Sequence, residues 1–154
     1  MEKTNVMRIL DQKKIAYNPH EYSPTVTEGI VIAQMLNEAP HSVFKTLVTV
    51  ANNGTYFVFC IPVAETLDLK KAAKAVNVKS VAMIKQKELL PLTGYIHGGC
   101  SPIGMKKPFK TTIHQTAASL DRFFVSAGKV GKQIELNPNE LAKLIKADFK
   151  DIIV

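Results

Sequence analysis

The alternation of apolar and polar residues predicts a series of short strands and helices, with one clear hairpin in the first half of the chain. Residues 43–51 and 56–63 are rich in β-branched and aromatic side chains, and Asn52-Asn53-Gly54 separates them. An Asn-Gly turn between two apolar strands is a strong signal for an antiparallel hairpin. The hairpin is therefore the firmest structural prediction from the pattern.

The other segments alternate between helical and extended patterns. Thr4 is placed to cap a first helix and Pro138 to open the last one. Helices interrupt a sheet whose clear hairpins are antiparallel, so we predict an α+β fold. We expect one domain over residues 1–154, with a mixed, mostly antiparallel, partly closed sheet and surrounding helices. The predicted helices are 5–13, 27–37, 69–76, 85–90 and 139–146, and the further predicted strands are 15–22, 78–84, 111–114, 122–126, 133–136 and 149–154.

The positive charge of the chain is unevenly distributed. The net charge is +7: residues 1–77 hold eight basic and seven acidic side chains, and residues 78–154 hold twelve and six. Eighteen of the twenty basic residues are lysines, which act on phosphates as point charges and lack the bidentate fork that reads bases. The distribution favours a polyanionic partner contacted through its backbone, although an ordinary solvated surface explains the same counts.

Composition narrows the class of protein further. No apolar run approaches the roughly 20 residues that span a membrane, and the N-terminus lacks the layout of a secretion signal, so we expect a cytoplasmic protein without membrane contact. Cys60 lies in an apolar run and is expected in the core, whereas Cys100 lies among glycines; pairing between them stays open. His97 and Cys100 have the spacing of metal ligands, but a second pair is missing, so neither metal nor cofactor is predicted.

Lys45 interrupts the apolar pattern of the first hairpin strand. Residues 43, 45, 47 and 49 share one face of the strand and residues 44, 46, 48 and 50 the other, and both faces otherwise look buried. A lysine in that position must extend to water, pair with an acid or face a cavity. The functional interpretation is an ammonium group that binds phosphate or orients a substrate at the mouth of a pocket.

The segment 94–107 holds four of the eight glycines, and three of them, Gly98, Gly99 and Gly104, lie close together around Ser101-Pro102. Glycine leaves room for a ligand at the main chain, so this segment can present backbone N–H groups to an anion; a tight loop between strands is the plainer alternative. A second glycine segment, 124–131, lacks the order of a phosphate-binding P-loop and is more typical of a hairpin connection. Glu135 alternates with apolar neighbours, which predicts that it points to solvent.

Four motifs together resemble one family. They are Val43-Phe44-Lys45-Thr46-Leu47-Val48, Leu69-Lys70-Lys71-Ala72-Ala73, Gly94-Tyr95-x-x-Gly98-Gly99-x-Ser101-Pro102-x-Gly104 and Ser126-Ala127-Gly128-Lys129. The chain is similar over nearly its whole length to the YbaK/EbsC family, freestanding relatives of the editing domain inserted in bacterial prolyl-tRNA synthetases. Most members of that family have an apolar residue where this chain has Cys100, which places a thiol near the expected site.

The resemblance implies an aminoacyl-tRNA deacylase that removes cysteine from mischarged Cys-tRNA(Pro), and that can act on Cys-tRNA(Cys). Lys45 would hold the phosphate or ribose of the terminal adenosine, and main-chain N–H groups at Gly98 and Gly99 would hold the carbonyl and its oxyanion. The thiol of the substrate would attack its own carbonyl. The resemblance assigns substrate contacts to Tyr22, Ser101, Pro102, Ser126 and Gly128.

The expected partners are the 3′ end of an aminoacylated tRNA and prolyl-tRNA synthetase, while the oligomeric state is unknown from sequence. Two other functions stay open. One is a deacylase for Ala-tRNA(Pro) or another misacylated tRNA. The other is a non-catalytic tRNA-binding module that uses the lysine-rich half.

Overall fold

The computed structural model describes residues 2–154, in which helices surround two β-sheets. Two short 3₁₀ turns, Pro40–Ser42 and Gln115–Ser119, connect elements of the sheets. The helices are α1 (Asn5–Gln12), α2 (Gly29–Met35), α3 (Leu69–Ala75), α4 (Gln86–Thr93) and α5 (Pro138–Ile145). The strands are β1 (Tyr17–Glu21), β2 (Phe44–Ala51), β3 (Tyr56–Pro62), β4 (Val81–Met83), β5 (Lys110–His114), β6 (Phe123–Ser126), β7 (Lys132–Leu136) and β8 (Asp148–Lys150).

The larger sheet has the strand order β4-β2-β3-β5-β8. Its centre is the predicted hairpin, in which β2 and β3 pair antiparallel around the Asn-Gly turn. Strand β4 adds an antiparallel edge next to β2. On the other side, β5 pairs parallel to β3, and β8 pairs parallel to β5. The predicted mixed character of the α+β fold is confirmed.

The smaller sheet has the order β1-β7-β6 and is antiparallel throughout. A parallel bridge between Val43 and Phe124 connects the start of β2 with β6, so the two sheets meet at this point. The sequence predicted one partly closed sheet. The structure has two sheets, and this single bridge joins them.

Capping side chains account for where three of the five helices begin. The Thr4 hydroxyl accepts a hydrogen bond from the Met7 N–H at 3.3 Å and caps α1 as predicted. The Asp68 carboxylate accepts from two N–H groups in the first turn of α3, and the Asn137 side chain does the same for α5. The predicted last strand is shorter than expected: β8 ends at Lys150, and Ile153 only bridges to Leu67.

The apolar residues form two main clusters. One packs α1 and α5 against the inner faces of both sheets, around Leu10, Phe123 and Ile134. The other packs α3 against the larger sheet, around Phe59 and Ala72. A third, small cluster includes Val43 and Phe124 and fills the corner between the sheets. No helix within residues 2–154 is long and apolar enough to cross a membrane.

Candidate functional site

A cavity of about 440 Å³ opens where the two sheets meet. Strand β2 and the residues before and within α2 form one side, and the glycine segment together with the smaller sheet forms the other. The volume lies in the range of ordinary small-molecule sites. The wall is mostly apolar, and its polar side chains include Thr27, Glu28, Lys45, Thr46, His97, Ser126 and Gln133.

Lys45 lies on the wall of this cavity, on the second position of β2 and opposite Ile61 of β3. Its side chain is half-buried, and no carboxylate among residues 2–154 forms an ion pair with its Nζ. Burial lowers the pKa of the Lys45 ammonium, and the charge of Glu65 opposes that shift. Of the alternatives that the sequence left open, the structure places Lys45 at a cavity with its positive charge unpaired by protein.

The glycine segment follows α4 and reaches the cavity through His97, Gly98 and Cys100. Gly98 has φ of 86°, a left-handed conformation that favours glycine. A Cβ atom there would lie 2.6 Å from the Thr27 side chain, so the conformation and the close contact both require glycine. Within the described chain, the N–H groups of Gly98 and Cys100 donate no hydrogen bond, whereas the Gly99 N–H donates to the Ile96 carbonyl at 3.0 Å.

Gly99 is buried behind the cavity wall, where the glycine segment packs against the second glycine segment. A Cβ atom on Gly99 would lie 3.0 Å from the Val130 nitrogen and 3.2 Å from the Lys129 carbonyl carbon. The two segments thus touch main chain to main chain. The sequence predicted a hairpin connection at the second glycine segment, and this segment does join β6 to β7. It also packs against the first glycine segment.

Internal hydrogen bonds hold the rest of the glycine segment. The Ser101 side chain is fully buried, and its hydroxyl accepts from the Ile103 N–H at 3.3 Å. The Tyr95 hydroxyl donates to the Ile103 carbonyl. Burial raises the pKa of Tyr95 to about 12, so this donor keeps its proton at neutral pH. These bonds fix a loop that lacks regular secondary structure.

The structure brings three of the predicted site residues to the cavity wall, namely Lys45, Gly98 and Ser126. Ser126 is the last residue of β6, and its hydroxyl accepts a hydrogen bond from the Gly128 N–H at 3.1 Å. Gly128 has φ of 96° and packs close to Tyr95, away from the cavity wall. It therefore orients Ser126 rather than lining the cavity.

The remaining predicted contacts lie elsewhere. Pro102 lines a separate cavity of about 620 Å³ on another side of the glycine segment. The Ser101 hydroxyl is engaged in a hydrogen bond within that segment. Tyr22 follows β1, where its N–H donates to the Gly131 carbonyl at 2.9 Å. The Tyr22 hydroxyl is buried and finds no hydrogen-bond partner among residues 2–154.

Gln133 is a polar wall residue that the sequence analysis missed. It is 3% exposed, lies on β7 between Ser126 of β6 and His20 of β1, and its Oε1 lacks a hydrogen-bond partner in the described chain. The available signal was the polar alternation along β7, a pattern that is also typical of a strand with one side facing solvent.

The prediction that Glu135 points to solvent is wrong. Glu135 lies on the same face of β7 as Gln133, two residues further on, and its side chain is 17% exposed. His20 and Arg122 both reach it, at 2.9 Å and 3.1 Å. Neighbouring side chains cover the polar face of β7. The alternation of polar and apolar residues along this strand therefore marks a covered polar face, not one that points to solvent.

The two thiols are both free. Cys60 is completely buried in the core, as predicted, and burial raises its pKa to about 12. Cys100 lines the cavity, but burial raises its pKa to about 12 as well. Since only the thiolate is a good nucleophile, Cys100 is a poor one at neutral pH.

Comparison with known proteins identifies the class to which this fold and cavity belong. The profile of the aminoacyl-tRNA editing domain matches residues 24–144, and the chain belongs to this family. It is 44% identical over 153 residues to EbsC of Enterococcus faecalis (strain ATCC 700802 / V583), a protein named as a candidate Cys-tRNA(Pro)/Cys-tRNA(Cys) deacylase. That alignment covers 98% of this chain and 93% of EbsC. The family resemblance read from the sequence is confirmed.

Solved structures support the fold. The hypothetical protein APE2540 superposes with a TM-score of 0.90 at 18% identity, covering 98% of this chain and 100% of that one. A candidate trans-editing enzyme for prolyl-tRNA synthetase superposes with a TM-score of 0.85 at 21% identity, covering 100% and 99%. At this level of identity the two likenesses define the architecture alone, and they confirm the predicted α+β editing-domain fold.

Proposed function

We propose that residues 1–154 form a single-domain, cytoplasmic deacylase that removes cysteine from Cys-tRNA(Pro), and by the same chemistry from Cys-tRNA(Cys). The observation that carries this proposal is the cavity at the junction of the sheets. It combines an unpaired ammonium, from Lys45, with two unpartnered main-chain N–H groups, at Gly98 and Cys100. A 3′ aminoacyl-adenosine presents the complementary groups, namely a phosphate and an ester carbonyl.

The reaction needs no nucleophile from the protein. The thiol sulfur of the substrate attacks its own ester carbonyl, and an S–C bond forms. The C–O bond to the ribose then breaks, and the thiol proton passes to the leaving ribose oxygen. The products are a cysteine thiolactone, which water later opens, and the free tRNA. Positioning for such an intramolecular attack can lower a barrier by about 7–11 kcal/mol.

The main chain of the glycine segment stabilises the developing oxyanion. The sequence proposed Gly98 and Gly99 as the donors. Because the Gly99 N–H is used within the loop, we assign the role to the N–H groups of Gly98 and Cys100. One donor of this kind is worth roughly 2.7–4 kcal/mol of transition-state stabilisation. Gly99 contributes by letting the loop pack against residues 129 and 130.

Lys45 and the substrate-binding side chains position the ester. The Lys45 ammonium holds the phosphate or ribose of the terminal adenosine, and the Ser126 hydroxyl contacts the substrate from the opposite sheet. Tyr22 and Gly128 support this wall through main-chain N–H groups that donate to Gly131 and Ser126, and Ser101 and Pro102 act through the shape of the loop. An excess of lysine in the second half of the chain favours contact with the tRNA backbone, and prolyl-tRNA synthetase is a partner that would supply tRNA selectivity.

Deacylation of a panel of tRNAs tests the proposal. Purified protein is incubated with Cys-, Ala- and Ser-tRNA(Pro), and the released product is identified by mass. We expect release from Cys-tRNA(Pro) as a thiolactone, with the seryl ester at least tenfold slower because a hydroxyl is the weaker nucleophile. Equal rates for serine and cysteine would rule out the self-attack, and preferential release of alanine would favour the Ala-tRNA(Pro) alternative. Binding of tRNA without release of any amino acid would favour the alternative of a non-catalytic tRNA-binding module.

Cys100 is not expected to take part as a nucleophile. Its thiol is protonated at neutral pH because burial raises its pKa to about 12. The Cys100→Ser variant keeps the main-chain N–H and nearly the same side-chain volume, so we expect kcat/KM for Cys-tRNA(Pro) within about threefold of the original. A loss of activity comparable to that of a site variant would mean that the thiol itself reacts, through redox or covalent chemistry.

A further inference from the structure

We propose that the side-chain amide of Gln133 binds the α-amino group of the aminoacyl ester, so that the cavity selects tRNA carrying a free amino acid over tRNA with a blocked or missing amine. The inference rests on the deacylase function proposed above and adds a recognition element to it. Gln133 would be a positioning residue that fixes the aminoacyl end while Lys45 fixes the nucleotide end.

The Gln133 amide is buried at the cavity wall with an acceptor left open. The residue is 3% exposed, it lines the cavity, and its Oε1 has no hydrogen-bond partner in residues 2–154. Leaving a buried acceptor unpaired is destabilising, so native proteins satisfy nearly all such atoms. A buried amide oxygen without a partner, on a residue that lines the cavity, indicates that a ligand supplies the missing partner.

The position on the sheet makes this amide well suited to orient a ligand. Strand β7 is the central strand of the smaller sheet, and Gln133 pairs with His20 on one side and with Ser126 on the other. Paired residues point to the same face, so Gln133 and Ser126 stand side by side on the wall. The second buried atom without a partner, the Tyr22 hydroxyl, belongs to the continuation of β1 beside the same stretch of β7. Two buried polar atoms without partners thus belong to residues on neighbouring stretches of β7 and the continuation of β1.

Elimination identifies the substrate group. The ester carbonyl is an acceptor that matches the loop N–H groups, and phosphate matches Lys45. The α-amino group is the remaining strong donor on the amino acid, and a neutral amide oxygen accepts from it without cancelling the charge of Lys45. Glu28 also lines the cavity, but it precedes α2 and its side chain is exposed at the rim. A buried neutral acceptor holds the amine deeper than that rim carboxylate.

The test compares two substrates that differ only in the amine. Cys-tRNA(Pro) and 3-mercaptopropionyl-tRNA(Pro) both carry the thiol and the ester, and only the first has the α-amino group. The ratio of their kcat/KM values is measured for the original protein and for Gln133→Leu, so that intrinsic differences in thiol reactivity cancel between proteins. We expect the original to prefer the cysteinyl ester and Gln133→Leu to lose roughly tenfold to a hundredfold of that preference. Gln133→Glu, which keeps an acceptor, retains it.

Matched variants separate recognition from structure. Gln115→Leu, an exposed change of the same kind on the second 3₁₀ turn, should keep the full preference. Because the Gln133 Oε1 has no partner to lose, the Tm of Gln133→Leu should not fall. As a readout without catalysis, the amide-linked analogue of cysteinyl-adenosine should bind Gln133→Leu more weakly, by the same factor, whereas its deamino form should bind both proteins alike.

Three results would overturn the inference. One is an unchanged substrate ratio in Gln133→Leu, and another is loss of the preference in Glu28→Gln with Gln133→Leu unaffected. The third is a lowered Tm with both substrates slowed equally, which would make Gln133 a structural residue. If the original protein deacylated neither substrate, the deacylase proposal itself would fail, and the two failures are therefore distinguishable.

Discussion

Replacement of Lys45 with alanine is expected to lower kcat/KM for Cys-tRNA(Pro) by roughly 10²- to 10³-fold while the protein stays folded. The ammonium lies at the cavity wall and has no carboxylate partner in the described chain, so its charge is available to the nucleotide. Truncating one member of a desolvated charge pair costs about 2–5 kcal/mol in other complexes, which corresponds to this loss. Single-turnover deacylation measures it.

The stability of the Lys45→Ala variant should be nearly unchanged. Burial lowers the pKa of Lys45, which means that the folded state disfavours its charged form, and alanine removes that penalty. The loss of aliphatic packing opposes this gain, so we expect the free energy of unfolding to change by no more than about 1 kcal/mol. Denaturant unfolding and circular dichroism check the fold of the variant.

A second lysine variant controls for the loss of charge alone. Lys143 is exposed on α5 and lies in the same basic half of the chain as the glycine segment, so Lys143→Ala removes one positive charge away from the cavity. We expect Lys143→Ala to change kcat/KM by less than about threefold in moderate salt, where screening weakens distant charges. Equal activity in Lys45→Ala and Lys143→Ala would remove Lys45 from the site.

The parts of the fold set by neighbours in sequence could be predicted, and the parts set by distant partners could not. The hairpin of β2 and β3 follows from an apolar pattern around a short turn, and the cap at Thr4 follows from one hydroxyl. The parallel pairing of β3 with β5 joins segments about 50 residues apart, and nothing local encodes it. The Val43–Phe124 bridge, which connects the two sheets, also joins residues far apart in the sequence.

The candidate site divides in the same way. Lys45 could be singled out because a charge conflicts with an apolar strand, and the glycine segment because its composition is unusual. Gln133 and Glu135 could not be singled out. The alternation of residues on β7 distinguishes its two faces, but it does not indicate what covers the polar face. Nor does a sequence tell which N–H groups a loop uses internally, and for that reason the Gly99 N–H was assigned to the oxyanion.

Replacement of Gly98 with alanine is expected to lower kcat/KM by at least 10²-fold, mainly through kcat. Gly98 has a left-handed φ of 86°, and a Cβ atom would lie 2.6 Å from Cγ2 and 2.9 Å from Cβ of Thr27. The loop or the segment before α2 must move to relieve that contact, and both line the cavity. A shift of the main chain displaces the oxyanion donors, and the loss of one donor alone costs 10²–10³ in kcat in other enzymes.

Gly54→Ala is the matched control, because it separates backbone strain from the clash. Gly54 lies in the hairpin turn with φ of 84°, and a Cβ atom there meets nothing within 4 Å. Both alanines cost about 1–2 kcal/mol for the left-handed conformation, so both variants should lose similar stability from strain. Only Gly98→Ala should also lose activity. The double variant Gly98→Ala with Thr27→Gly should recover part of the lost activity, because Thr27→Gly removes both carbon atoms that the new Cβ contacts. Full activity in Gly98→Ala would show that the main chain at this position does not contact the reacting ester.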